Sequence, residues 1–92
     1  RKTVMAAKEY YGVALLKNTR EAMAVEDGAK KKGMAVRIIP TPSTIYASCG
    51  FSLKYELTEE ETLKELLQEL SLSVDGFYHA EKTGLSVSYE KV

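Results

Sequence analysis

Hydrophobic and polar positions follow two different periods along this chain, and the periods predict four strands and two helices. Short apolar runs at residues 10–17 and 35–39 are typical of strands, and the second run ends at Pro40. Apolar and polar residues alternate from residue 51 to 56, which predicts a half-buried strand. A fourth strand is predicted at residues 76–82, after an Asp-Gly turn.

Apolar residues at helical spacing separate these strands. A helix is predicted over residues 19–32, where Asn18 and Glu21 have the spacing of a capping box. Thr58 and Glu61 predict a second capping box, at the start of a leucine-rich helix. The apolar stripes are Ala22, Val25 and Ala29 in the first helix and Leu63, Leu66, Leu67 and Leu70 in the second. Because the first stripe consists of small side chains, that helix should lie close to a sheet.

The resulting order, β-α-β-β-α-β, predicts an α+β fold of the ferredoxin-like type: a four-stranded antiparallel sheet with two helices on one face. We expect residues 1–9 to be an N-terminal extension and residues 10–82 to be the domain. Residues 83–92 form a C-terminal extension in which alternation predicts an extra, fifth strand.

Composition limits the classes of function. The chain has 92 residues, enough for one small domain, and a formal net charge of zero, so nothing global points to nucleic acid. Residues 1–54 hold ten Lys/Arg and four Asp/Glu, and residues 55–92 hold three and nine, which would give the domain a basic side; we favour the simpler interpretation that the lysines at residues 30–32 are the solvated end of a helix. No apolar run is long enough for a membrane span, and one cysteine cannot form an internal disulfide, which suits a reducing compartment.

Most enzyme signatures are missing from the sequence. There is no glycine-rich phosphate loop and no nucleophile elbow, and the acids at residues 59–61 are explained by helix capping. His79 is the only histidine, and one histidine with one cysteine is too few ligands for a closed zinc site. We therefore expect no metal and no cofactor, and a surface histidine at position 79.

The candidate chemistry is a single thiol. Cys49 follows a strand that ends in two prolines, Pro40 and Pro42, and a short loop rich in Ser and Thr. Gly50 removes side-chain bulk beside the sulfur and permits backbone angles that other residues resist. A thiol placed in this way can be alkylated or loaded with another sulfur.

Sulfur chemistry requires an accessible thiolate, and an ordinary thiol is mostly protonated at neutral pH. Support could come from backbone N–H groups of the loop, from Arg37 or Lys54, or from the hydroxyls of Ser48 and Ser52. The competing interpretation is that Cys49 is a small buried hydrophobic residue, since free cysteine is commonly buried.

The segment from Arg37 to Gly50, RIIPTPSTIYASCG, resembles the DUF3343 family, described as "putative selenium/sulfur carrier protein-like". A proline pair followed by Ser-Cys-Gly is the hallmark of that family, and the similarity extends over about residues 11–81. The resemblance implies a cytoplasmic carrier whose cysteine accepts sulfur or selenium from a donor protein and passes it to an acceptor. By motif position the carrying residue is Cys49, and such a protein is a covalent shuttle rather than a turnover enzyme.

Two alternatives remain open on the sequence. One is a non-catalytic interaction or regulatory domain that forms a homodimer, or docks, through the open sheet face, with Leu16, Ile39 and Tyr78 supplying apolar contacts. The other is a redox sensor in which Cys49 pairs across a dimer. Neither requires nucleic acid or a membrane.

Overall fold

Five strands and two helices make up the protein, as a computed structural model describes it over residues 8–45, 47 and 49–92. The elements are β1 (Lys8–Leu15), α1 (Thr19–Lys31), β2 (Arg37–Pro40), β3 (Phe51–Tyr55), α2 (Glu60–Glu69), β4 (Gly76–Thr83) and β5 (Ser86–Lys91). Residues 1–7 of the predicted N-terminal extension lie outside the described residues. Within the described part of the chain, no helix is long and apolar enough to cross a membrane.

The strands form one antiparallel sheet in the order β2-β3-β1-β4-β5. The first four strands of the chain have the ferredoxin-like order, and the predicted α+β fold is confirmed. β5 pairs with β4 along six residues, so the extra strand expected from the C-terminal alternation is also confirmed. β2 and β5 are the two edges of the sheet.

One core lies between the helices and the sheet. The three small residues of the α1 stripe are completely buried, as is Leu63 of α2. A Cβ atom built on Gly28 would lie 3.1 Å from Leu66 Cδ1, so the missing side chain lets α2 approach α1 closely. The predicted close packing of α1 is therefore observed, and it depends on residues without bulk. Leu16 belongs to this core and not to the opposite sheet face, as its position after the end of β1 allows.

The opposite face of the sheet is less open than the sequence suggests. Tyr11, Val13 and Leu15 of β1 are at least nine-tenths buried there, together with Ile45 from the β2–β3 connection. Ile39 and Tyr78 pack half-buried around this second cluster, on the face where the sequence analysis placed them. The connection thus folds over the sheet and covers part of the face on which the interaction-domain alternative relied.

The start of α2 differs from the prediction. A 3-10 turn, Leu57–Glu59, precedes the helix, and no side-chain hydrogen bond caps either element, so the Thr58 capping box is wrong. The Glu59 carboxylate instead accepts a hydrogen bond from the Ala35 N–H at 3.3 Å, and Glu60 bonds to the sheet. Glu59 and Glu60 therefore accept hydrogen bonds from other elements of the fold and do not take part in a capping box.

Gly12 offers a test of how tightly the sheet and helices pack. A Cβ atom at Gly12 would overlap the ring and hydroxyl of Tyr55, its cross-strand partner. Tyr55 is 1 % exposed and cannot move aside, so Gly12→Ala should lower the free energy of unfolding by about 1–3 kcal/mol or more. Urea denaturation measures this loss.

Gly50→Ala is the matched control, because within the described residues no atom beyond the two chain neighbours lies within 4 Å of the Cβ position of Gly50. Its unfolding midpoint should stay at the wild-type value. Equal midpoints for the two variants would contradict the close approach of Tyr55 to β1.

Candidate functional site

Cys49 lies in the connection between β2 and β3, at residues 41–50, which we call the cysteine loop. Tyr46 and Ser48 of this loop lie outside the described residues. Cys49 itself is 8 % exposed. It sits beside the first residue of α1 and not beneath the leucines of α2, while its neighbour Gly50 is exposed. Cys49 is thus buried, as the competing interpretation of the sequence expected, although it belongs to neither of the two hydrophobic clusters.

Among the described residues, two groups lie within hydrogen-bonding distance of the sulfur. The Phe51 N–H donates to Cys49 Sγ at 3.4 Å, and Thr19 Oγ1 lies 3.7 Å from the same atom. Thr19 is the first residue of α1, and the preceding Asn18 caps the helix by accepting the Glu21 N–H at 2.9 Å. The forward half of the predicted capping box is therefore confirmed. It fixes the end of α1 that faces the sulfur.

Thr41 closes the cysteine loop. Its N–H donates to the Gly50 carbonyl oxygen at 2.8 Å, and its hydroxyl donates to the Cys49 carbonyl oxygen at 3.0 Å. Because that hydroxyl has a single proton, the Ser52 hydroxyl is the donor in the 2.6 Å bond between Ser52 Oγ and Thr41 Oγ1. These bonds join the two ends of the loop and hold the backbone at Cys49 in place.

Ile45 anchors the middle of the same loop. Its side chain is 7 % exposed and belongs to the cluster on the sheet face opposite the helices. Its N–H donates to the Pro42 carbonyl oxygen at 3.0 Å, which forms a tight turn after the second proline. The loop is thus held on one sheet face by Ile45, while Cys49 reaches α1 on the other.

The prolines and the glycine predicted to support the site lie close to it. Pro40 is the last residue of β2 and pairs with Phe51. The Cβ position of Gly50 faces open space, as expected for a residue that leaves room beside the sulfur. Gly33 and Gly84 have positive φ angles and Gly50 does not, so Gly50 does not use the backbone freedom that glycine permits.

The predicted cationic support does not reach the sulfur. Arg37 and Lys54 are opposite each other on the neighbouring strands β2 and β3. They lie three residues, or about 10 Å along the strands, from the Pro40–Phe51 pair. Lys54 Nζ lies 3.6 Å from Glu9 and 4.3 Å from the centre of the Tyr11 ring. Within the described residues, no hydrogen bond joins either cation to Cys49, and Ser52 bonds to Thr41 instead of the sulfur.

Thr19 and Thr41 are the functional residues that sequence reasoning missed. Thr41 was visible as the residue between the two prolines, where a hydroxyl next to a turn commonly bonds to nearby backbone. Thr19 carries no such signal, because it is thirty residues from Cys49 in the chain.

His79 belongs to a separate group of polar side chains. Its Nε2 donates to Glu60 Oε1 at 2.7 Å, and the Tyr55 hydroxyl donates to the same oxygen at 2.6 Å. His79 pairs with Gly12 at the level of Tyr55, which is the far end of β3 from Cys49. Within one chain, His79 therefore serves the junction of α2 with the sheet and not the thiol.

Glu60 is held in its charged form at this junction. Burial by itself raises the pKa of the Glu60 carboxyl, but hydrogen bonds from Tyr55 and His79 outweigh it, with help from the charges of His79 and Lys64. The net result is a Glu60 pKa below its ordinary value of 4.5. Burial, and then the bond to Glu60, raise the pKa of the Tyr55 hydroxyl far above its ordinary value.

A shallow depression of about 540 Å³ lies on the β4–β5 side of the molecule, and its lining does not include Cys49. It is lined by Tyr10, Leu57, His79, Ala80, Glu81, Ser88, Tyr89 and Glu90. Among the described residues, no cluster of three or more His, Cys, Asp and Glu side chains is placed to hold a metal ion. Neither feature therefore adds a ligand or a pocket to the buried thiol of Cys49.

Comparison with known proteins gives one match. The model of the family described as "Putative Se/S carrier protein-like" matches residues 10–79, which include the whole cysteine loop. No curated protein and no solved structure matches the chain.

Closure of the cysteine loop can be tested with Thr41→Val. The variant leaves the completely buried Ser52 hydroxyl without its acceptor, so the free energy of unfolding in urea should fall by about 1–3 kcal/mol. Iodoacetamide should also alkylate Cys49 faster, because its carbonyl has lost a hydrogen-bond donor. Thr44→Val, at an exposed position of the same loop, is the control and should change neither value.

The Glu60 junction predicts a pH dependence of stability. Because the pKa of Glu60 is lower in the folded than in the unfolded chain, its stabilisation is complete above pH 4.5 and is lost as the pH falls through the folded value. Glu60→Gln should therefore destabilise the protein at pH 7 by about 1–2 kcal/mol and lose less on acidification than the wild type. Urea denaturation at a series of pH values measures both effects.

Glu61→Gln provides the comparison, because Glu61 is exposed on the same helix turn. It should follow the wild-type curve. Parallel curves for Glu60→Gln and the wild type would contradict the role of the carboxylate.

Proposed function

The chain belongs to the Se/S carrier protein-like family, and we propose that Cys49 carries the sulfur or selenium atom as a persulfide or its selenium analogue. The observation that supports this most directly is the environment of Sγ. The only cysteine of the chain receives an N–H hydrogen bond and a hydroxyl contact at the edge of the protein, next to a glycine with open space around it.

The loading step balances without an added oxidant or reductant. The Cys49 thiolate attacks the outer sulfur of a persulfide on a donor protein, and a new S–S bond forms at Cys49. The S–S bond in the donor breaks, and the donor cysteine leaves as a thiolate. Delivery repeats the same exchange, with an acceptor thiolate attacking the outer sulfur on Cys49. In the selenium form, the outer atom is selenium.

The surroundings of the sulfur favour a carrier that holds a sulfur or selenium atom over an enzyme that catalyses repeated turnovers. The Phe51 N–H donates to Sγ and the Thr19 hydroxyl contacts it, and in the described part of the chain no carboxylate or imidazole bonds to the sulfur. Without a base at hydrogen-bond distance, general acid–base catalysis has no residue to carry it.

A partner must still reach the sulfur. Gly50 is exposed, and the space at its Cβ position is free. A donor cysteine on a flexible segment can approach from this side, whereas a side chain at position 50 would narrow the path. We expect the donor and the acceptor to be proteins, because the sulfur adjoins an exposed surface and not an enclosed pocket.

Loading can be measured directly. The protein is incubated with a cysteine desulfurase and cysteine, desalted, and analysed by intact mass spectrometry. The wild type should gain the mass of one sulfur atom, and dithiothreitol should remove it. Cys49→Ser should gain nothing, and an alkylated wild type should also stay unmodified.

Gly50→Val provides a second variant that keeps the thiol. It should load more slowly than the wild type, while Gly50→Ala should stay close to it. If the wild type remains unmodified although its thiol reacts stoichiometrically with iodoacetamide, the carrier function is wrong.

A further inference from the structure

Two exposed apolar side chains lie beside the contacts of Cys49. Phe51 is 44 % exposed and Met23 is 58 % exposed. Phe51, Leu53 and Tyr55 are two residues apart along β3 and share one face; because Leu53 and Tyr55 belong to the core beneath the helices, Phe51 lies on the helix side of the sheet.

Met23 lies on the same side of the molecule as Phe51. It follows Thr19 by four residues and precedes Glu26 by three, so the three share one helix face. Thr19 contacts Cys49 Sγ, and Glu26 Oε2 accepts the Ile38 N–H of the edge strand β2 at 3.3 Å. Met23 is therefore placed between these contacts, above β2. Such exposed apolar groups beside a reactive atom suit contact with another protein.

Two cations lie near these apolar side chains at the N-terminus of α1, where the helix dipole disfavours positive charge. Lys17 and Arg20 are exposed, and within the described part of the chain neither forms an ion pair. A helix N-terminus carries partial positive charge, so cations there do not stabilise the helix. The three lysines at the other end of α1, residues 30–32, sit where the dipole favours them, and each pairs with an acid.

The geometry points to a docking surface, formed by Lys17, Arg20, Met23 and Phe51, for a partner protein whose cysteine is flanked by an apolar side chain and carboxylates. This inference rests on the proposed carrier function, since it names the chemistry of the protein that exchanges sulfur with Cys49. The cations would attract the acids of the partner, and Phe51 with Met23 would receive its apolar side chain beside Sγ. A bare anion, by contrast, would contact only Lys17 and Arg20 and would leave Met23 and Phe51 without a partner.

Activated peptides can probe this preference. Four synthetic peptides each hold one cysteine as a mixed disulfide with 2-thiopyridine, flanked by Leu and Glu, Leu and Lys, Ser and Glu, or Ser and Lys. The Cys49 thiolate attacks the peptide sulfur, a Cys49–peptide disulfide forms, the bond to thiopyridine breaks, and 2-thiopyridone is released. The absorbance of 2-thiopyridone gives the rate.

The wild type should react about tenfold faster with the Leu/Glu peptide than with the Leu/Lys peptide at low salt, and the ratio should shrink in about 0.5 M salt. Lys17→Glu combined with Arg20→Glu should abolish or reverse the ratio. Lys82→Glu combined with Lys91→Glu changes the net charge by the same amount, but on β4 and β5. This control should retain the wild-type ratio of the two rates. Phe51→Ala should reduce the preference for Leu over Ser.

Three results would overturn the docking surface. Equal rates with all four peptides would do so while leaving a reactive thiol and the carrier function intact. A preference for Glu that is the same with Leu and Ser would replace the docking surface with a bare anion site. A wild type that reacts with no peptide, while its urea-unfolded form reacts, would overturn the carrier function and the docking surface together.

Discussion

The close packing of α1 on the sheet is the constraint on which the site depends. Small residues make it possible: the α1 stripe is completely buried, and Gly28 leaves room for Leu66 of α2. Held at this distance, the start of α1 meets the end of the cysteine loop, and Thr19 Oγ1 lies 3.7 Å from Cys49 Sγ. A bulkier stripe would lift the helix from the sheet and separate the two groups.

The cysteine loop is the second part of this arrangement. It is anchored by an apolar side chain on one face of the sheet, Ile45, and closed by Thr41 at its base. A loop fixed at both points can hold the buried Cys49 beside the start of α1. The second cluster thereby positions Cys49 as well as covering part of the sheet. The proposed carrier function depends on the fixed position of the sulfur. The proposed docking surface depends on the exposed side chains near it.

Local patterns predicted the elements well and their junctions poorly. The periods in the sequence located both helices and all five strands, and they indicated which residues of α1 and α2 face the sheet. They failed at the start of α2, where Glu59 and Glu60 bond to Ala35, Tyr55 and His79 and no capping box forms. A capping rule considers only residues three apart, whereas these partners come from three other parts of the chain.

The sequence by itself determined the fold class, the single thiol and the motif around it, because hydrophobic period, turn residues and one cysteine are all local properties. It did not determine what surrounds the sulfur. Arg37 and Lys54 are near Cys49 in the chain, yet they lie about 10 Å along the strands from the Pro40–Phe51 pair. Thr19, which contacts the sulfur, is thirty residues upstream of Cys49. Only the tertiary structure decides such neighbours, since a hydrogen bond depends on distances of a few ångströms that are set by how the helix packs on the sheet.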